Sequence, residues 1–364
     1  MKLLIVLLPL LLVSHGFSQV NNNVPVKNNE ESNGYEKKAK GEFSSEKSNV
    51  QDENIETYQV ESTEYLSNRF NSIYNQATEN RRRKTFSVQE TSQMNDVLNK
   101  MLATYNDDFL TYLSYYQAGQ NDLIRIDALK KAKKIDPMNS SVLKEEMVYY
   151  SIVSKEIELR KVLIDLKAIG IYNDQLVEVA KDILYSQPDG STLVLHGKED
   201  AFAILYCQKI LRIKEDEIFV ISLDWLTSPQ YRSIIETNNY QLPISKNIDI
   251  AFLKEFCLLN SSNSVSLALT LPKEYLIPNI DNLYLRGLSL SYSITPLDLS
   301  VQNEMIYNTQ VKNSLSQNYS HPITQNYLPV LYQLRRQFAD KNELEEVEYI
   351  DEKILQLKSA FNGY

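Results

Sequence analysis

The chain has 364 residues, and its 47 acidic side chains outnumber 38 basic ones, which gives a formal net charge of −9 at pH 7. Nucleic-acid-binding proteins need a basic surface for the phosphates, so this balance argues against them. The two cysteines are too few for a fold built on disulfides. The one basic run, Arg81 to Lys84, is predicted to be a solvated patch beside a linker.

The amino-terminal residues have the pattern of a secretory signal peptide. In "MKLLIVLLPLLLVSHGFSQ" one lysine precedes an apolar run over residues 3–13, and small residues follow at Gly16 and Ser18. This predicts residues 1–18 as the signal, with cleavage after Ser18. The run is shorter than the roughly 20 residues of a membrane helix, and no later stretch reaches that length without charges. We therefore expect an exported chain with no membrane span, in the periplasm of a Gram-negative bacterium.

Composition and periodicity divide the residues that follow. Residues 19–60 are dominated by Asn, Glu, Lys and Ser, which predicts a disordered leader because too little apolar surface is available for burial. Over residues 61–187 apolar side chains recur three and four positions apart, which predicts helices. There the phrase "ALKKAKKIDPMNSS", with Ala128, Ala132 and Pro137, resembles the second helix and closing turn of a tetratricopeptide repeat. Such hairpins are few here, so we expect them to pack on the domain that follows.

Residues 188–300 change to short apolar runs separated by helical stretches, after Pro188 and Gly190 break the last helix. The alternation predicts an α/β domain with a mostly parallel sheet and flanking helices. Residues 301–364 are predicted to form a linker and another repeat-like helical hairpin, turning at residues 340–342. The predicted strands of the sheet cover residues 192–195, 218–223, 265–270 and 283–292, and the helices between them cover residues 200–211, 229–237 and 248–259.

Cys207 and Cys257 each lie inside an apolar helical run. Two buried thiols and one disulfide are both compatible with this placement, because pairing cannot be read from a sequence. Both alternatives stay open for an exported chain, which meets oxidising conditions.

A strand, a glycine-containing turn and an aromatic helix make up "TLVLHGKEDAFAILYCQ", and a second strand with a Ser-Leu pair follows in "IFVISLDWLTSPQYRSII". This order resembles the soluble carboxyl-terminal portion of a family of multispanning bacterial membrane proteins described as glycosyltransferase-like or O-mannosyltransferase-like. Lys198 departs from the family's turn acid, and the membrane-spanning half is absent from this sequence. The resemblance implies an α/β architecture and an envelope setting, and the departures weaken a claim to glycosyl transfer. The matching residues are Gly197, Asp200, Phe202, Tyr206, Gln208, Ser222, Leu223 and Tyr231, followed by Gly287, Leu288 and Pro296.

The turn "HGKED" is the candidate ligand site. Gly197 is expected to adopt a positive φ, and Asp200 is expected to cap the exposed amides of the following helix. A second interpretation is a ligand pocket at the carboxyl end of a parallel strand, where His196 and Lys198 would meet an anion. Asp224, after the next strand, would complete that pocket. Under the capping interpretation, His196 and Lys198 are exposed turn residues.

Tyrosines on the predicted repeat helices are the candidate surface for a protein partner, because tyrosine is a preferred interface residue. Packing against the α/β domain is the competing interpretation, and it applies equally to the single tryptophan. The residues concerned are Tyr112, Tyr115, Tyr116, Tyr149, Tyr150 and Trp225.

The sequence contains no catalytic motif. No His or Cys pair has zinc-ligand spacing, and no Gly-x-Ser-x-Gly nucleophile motif is present. We therefore expect no metal and no cofactor, and a non-enzymatic scaffold that holds a protein partner of an envelope assembly for secretion, motility or glycosylation. The alternative is a module or enzyme that handles carbohydrates or nucleotides at the turn containing His196 and Asp200.

Overall fold

The computed structural model describes residues 61–316 and 321–360. The predicted signal peptide and leader lie outside these residues, so export stays a prediction. In the described ranges, no helix combines the length and the apolar character needed to cross a lipid bilayer.

The amino-terminal part of the described chain is helical, as predicted. The start of one helix is fixed by a capping box, in which the Ser87 hydroxyl accepts from the Glu90 amide and the Glu90 carboxylate accepts from the Ser87 amide. Consecutive helices pair along the chain, first with second, third with fourth and fifth with sixth. Their assignment as tetratricopeptide repeats stays a prediction. The helices are α1 Thr63–Thr78, α2 Val88–Thr104, α3 Phe109–Gln117, α4 Ile126–Ile135, α5 Ser140–Ile152, α6 Glu156–Ala168 and α7 Asp174–Tyr185.

A mixed sheet follows, so the chain has the predicted α/β class. The strand order is β2-β1-β3-β5-β4. β1 pairs in parallel with β2 and with β3, whereas β5 pairs antiparallel with both β3 and β4. The expectation of a mostly parallel sheet was therefore wrong for the β4–β5 side. The strands are β1 Ser191–Leu195, β2 Ile218–Ser222, β3 Val265–Ala268, β4 Leu283–Arg286 and β5 Ser289–Tyr292.

The antiparallel side arises at a tight turn inside one predicted strand. Residues 283–292 were expected to run straight, but the chain reverses at Gly287, whose φ of +53° lies in the left-handed region. Asn303 holds this turn, because its side-chain oxygen accepts from the Gly287 amide at 2.7 Å.

Helices that precede the sheet in the chain and helices that follow it pack into the same apolar core as the sheet. One buried cluster extends from Leu143 in α5 through the strands to Leu357 near the carboxyl terminus. Two smaller clusters lie between α1 and α2 and around α3 and α4. The remaining helices are α8 Lys198–Lys209, α9 Pro229–Thr237, α10 Ile250–Leu259, α11 Lys273–Leu276, α12 Ser300–Ile306, α13 Lys312–Ser314, α14 Leu328–Asp340 and α15 Leu344–Ser359.

Both cysteines belong to this core. Cys207 in α8 and Cys257 in α10 are buried, and each is a free thiol. Burial raises the pKa of each thiol to about 12, so both are protonated at neutral pH. The structure thus has the two buried thiols rather than the disulfide.

Candidate functional site

A cleft of about 810 Å³ lies at the carboxyl ends of the three parallel strands. His196 directly follows β1, Asp224 follows β2 in a 3₁₀ turn over Leu223–Thr227, and Thr270 follows β3. Residues of α1, α3 and α5 form the facing walls. Open α/β sheets bind ligands at this edge, and the volume suits a small organic molecule.

The turn between β1 and α8 differs from its prediction. Gly197 has a φ of −162°, which is extended backbone open to any residue, so the expected positive φ was wrong. Helix α8 begins at Lys198, and Asp200 caps none of its amides. Instead, Asp200 Oδ2 accepts from Thr270 Oγ1 at 2.8 Å and from the His196 amide at 3.4 Å. Asp200 therefore joins the ends of β1 and β3.

Gly197 is required for a close approach rather than for a left-handed turn. A Cβ at this position would lie 2.4 Å from Asp224 Oδ2. We expect Gly197→Ala to lower the free energy of unfolding by about 1 to 3 kcal/mol, because it overpacks this contact. Urea titration of Gly197→Ala, Asp224→Ala and the double variant measures the coupling between the positions. Strictly additive effects would contradict the proposed clash.

Asp224 is held by a lysine from the connection between α1 and α2. Lys84 Nζ lies 2.8 Å from Asp224 Oδ1, and the Lys84 side chain is only 3% exposed. Burial raises the pKa of Asp224, but its neighbours, foremost the Lys84 ammonium, together outweigh burial and hold that pKa below its usual value. The basic run is therefore no solvated patch, since Arg81 pairs with Glu274 and Arg83 with Glu90.

Lys198 also forms a salt bridge with a carboxylate. Its ammonium lies 2.6 and 2.7 Å from the two oxygens of Glu145 in α5, and the Glu145 side chain is 4% exposed. Burial lowers the pKa of Lys198, but Glu145 outweighs it and raises that pKa. Lys198 is therefore not the exposed turn residue that the sequence suggested, and its charge is already neutralised by a protein partner.

Several buried polar atoms at the cleft have no hydrogen-bond partner among the described residues. The hydroxyls of Tyr116 and Tyr172 and the side-chain nitrogen of Asn326 are of this kind, and each residue is almost fully buried. The fourth is His196 Nε2. Burial lowers the pKa of His196 to about 3, so the imidazole is neutral at physiological pH. Unsatisfied buried groups are costly, and a ligand could satisfy these.

The lining cations are paired with acids. Besides Lys84 and Lys198, Lys144 contacts Glu199 at 2.9 Å, and Arg81 contacts Glu274 at 3.5 Å. Asp200 differs, because the described part of the chain places no cation within salt-bridge distance of it. The cleft thus offers many polar groups but no uncommitted lysine or arginine in the described ranges.

The predicted partner-binding aromatics divide between the cleft and local packing. Of these residues, only Tyr116 lines the cleft. Trp225 is 2% exposed and packs edge-on against Tyr231, so it is no surface anchor. The others are partly buried: Tyr112 beneath Lys131, Tyr115 beneath Arg125, and Tyr149 against Tyr150.

Comparison of the chain with protein-family models, curated proteins and solved structures found no match. The family resemblance described above therefore stays a prediction. Within residues 61–316 and 321–360, no group of three or more His, Cys, Asp or Glu side chains is arranged to hold a metal ion.

Proposed function

We propose that the chain binds an uncharged, hydroxyl-rich ligand, namely a carbohydrate, in the cleft at the ends of β1, β2 and β3. The observation that carries this proposal is that four residues of one cleft of about 810 Å³, namely Tyr116, Tyr172, His196 and Asn326, each carry a buried polar atom without a partner among the described residues. These groups include donors and acceptors, and hydroxyl groups of a ligand serve as both.

The charges of the cleft favour a neutral ligand over a nucleotide. A phosphate needs a free cation or free helix amides, but Lys84 and Lys198 are neutralised by Asp224 and Glu145. Glu199 and Asp200 lie in the first turn of α8, where their negative charges oppose an anion. The lining also includes amide side chains, a group that binds hydroxyls, although four of them also form hydrogen bonds within the protein. They are Asn75, Gln117, Gln120, Asn121, Asn173 and Gln325.

The test combines binding with stability. Isothermal titration and thermal shift are measured with maltohexaose, cellohexaose, chitohexaose and xylohexaose, and with ATP and UDP as anionic comparisons. We expect one of the oligosaccharides to bind and the nucleotides not to bind. Binding of ATP or UDP alone, or of no compound, would contradict the proposal.

Two tyrosine variants locate the site. Tyr172→Phe removes a hydroxyl without a protein partner, so we expect unchanged stability and about tenfold weaker oligosaccharide binding. Tyr231→Phe is the matched control, because its hydroxyl donates to the Val220 carbonyl at 3.1 Å outside the cleft. That variant is expected to lose about 1 kcal/mol of stability and no affinity. The reverse pattern would place the ligand elsewhere.

The protein-scaffold function and the periplasmic setting inferred from the sequence stay hypotheses beside this one. With Trp225 buried and Tyr116 at the cleft, the support for a partner surface is reduced to the partly exposed Tyr112, Tyr115, Tyr149 and Tyr150. Carbohydrate binding is compatible with an envelope protein, but it does not depend on that location.

A further inference from the structure

Two carboxyl groups contact the turn between β1 and α8, and both residues line the cleft. Asp200 Oδ2 accepts from the His196 amide and from Thr270, and Asp224 Oδ1 contacts Lys84. The second oxygen of each carboxyl accepts no hydrogen bond from the described residues, and Asp224 Oδ2 lies against Gly197. Each group is therefore fixed through one oxygen and has the other available.

We infer that this pair hydrolyses a glycosidic bond, with Asp200 as the general acid and Asp224 as the general base. The inference rests on the proposed carbohydrate binding. It also rests on the buried hydroxyls of Tyr116 and Tyr172, which lack partners in the described chain and line the same cleft. Most glycoside hydrolases use two carboxyl groups, one on each side of the scissile bond.

The reaction consumes one water molecule and needs no other reactant. The bond between the anomeric carbon and the leaving oxygen breaks as the Asp200 proton passes to that oxygen. Water attacks the anomeric carbon and forms the new carbon–oxygen bond, and its proton passes to Asp224. The products are a hemiacetal and an alcohol, and proton exchange with solvent restores both carboxyl groups.

The surroundings of Asp200 favour the protonated form that a general acid needs, and those of Asp224 favour the ionised form that a general base needs. Burial raises the pKa of Asp200 to about 6, whereas the neighbours of Asp224, foremost Lys84, outweigh burial and lower the pKa of Asp224. Just below pH 6 Asp200 is therefore protonated, while the lowered pKa of Asp224 keeps that carboxyl ionised. The charged groups that influence Asp200 are Lys84 and Glu199, and the His196 backbone amide donates to it. The charged or titratable groups that influence Asp224 are Lys84, His196, Lys198, Tyr74 and Tyr275.

The experiment measures new reducing ends from the four hexasaccharides named above. We expect the wild-type chain to cleave the one that it binds, with a rate that is highest below pH 6. Above pH 6 the rate should fall about tenfold per pH unit, because the acid form of Asp200 is depleted. This profile is measured on the unaltered protein, so it does not depend on the folding of a variant.

Variants then assign the roles. Asp200→Asn and Asp224→Asn should each lower kcat at least about 100-fold while the oligosaccharide still binds. Asp216→Asn, an exposed acid before β2, is the control and should cleave at the wild-type rate. Binding without cleavage would overturn the catalytic inference and leave the binding proposal standing. Absence of binding would overturn both, and cleavage unaffected by either variant would remove these residues from the reaction.

Discussion

Replacing Glu145 with alanine is expected to lower the free energy of unfolding by about 3 kcal/mol, since breaking a buried ion pair leaves one charge uncompensated. Lys198 would lose both of its close carboxylate contacts, and Gln117 would lose the acceptor at 3.2 Å for its side-chain amide. This loss lies at the low end of the range usual for a broken buried ion pair, because the Lys198 side chain is 21% exposed and can reach water. Urea denaturation at neutral pH measures the change.

An exposed ion pair provides the control for this variant. Lys130 and Asp127 lie 2.9 Å apart, with side chains 63% and 84% exposed, so Asp127→Ala should change stability by less than about 1 kcal/mol. Glu145→Gln should fall between the two, because an amide oxygen still accepts from Lys198. Equal effects of Glu145→Ala and Asp127→Ala would show that the buried pair contributes no more than a surface pair.

The positions of the central elements could be predicted because they depend on local pattern. The helix predicted over residues 229–237 is α9 Pro229–Thr237, and the strand predicted over residues 192–195 is β1 Ser191–Leu195. The carboxyl-terminal hairpin also turns where expected, between Asp340 and Leu344. Apolar periodicity and breaking residues report on neighbours in the chain, and these features need nothing more.

The β4–β5 hairpin could not be predicted in the same way. In "LYLRGLSLSY" leucines alternate at Leu283 and Leu285 and again at Leu288 and Leu290, so the alternation shifts by one position at Gly287. The signals for the turn were Gly287 and this shift, and both are also compatible with a bulge in one long strand. This reversal decides the sheet topology, because it divides one predicted strand into the antiparallel strands β4 and β5, and β5 also pairs antiparallel with β3.

The site was predictable on one side only. His196, Asp200 and Asp224 follow strands, and the rule for the carboxyl ends of parallel strands brings them together. The opposite wall comes from distant helices, as in the Lys198–Glu145 pair, whose members are 53 positions apart. Lys84 belongs to a basic run, and the composition of that run predicts solvent exposure rather than a buried ion pair. No local pattern reports such contacts, and the chemistry of the cleft depends on them.

Gly287→Ala is expected to lower the free energy of unfolding by about 2 to 5 kcal/mol, which adds a left-handed backbone penalty to overpacking. Gly287 has a φ of +53°, and an added Cβ would lie 2.1 Å from Ser186 Oγ and 2.8 Å from Ser186 Cβ. Ser186 cannot move away without losing hydrogen bonds, because its Oγ accepts from the Leu288 amide and donates to the Asp182 carbonyl.

The variant Gly190→Ala separates the backbone penalty from the overpacking, since Gly190 has a φ of +73° and nothing within 4 Å of an added Cβ. That control should cost only about 1 to 2 kcal/mol in the same urea titration, and a loss as large as that of Gly287→Ala would show that the contact with Ser186 contributes nothing.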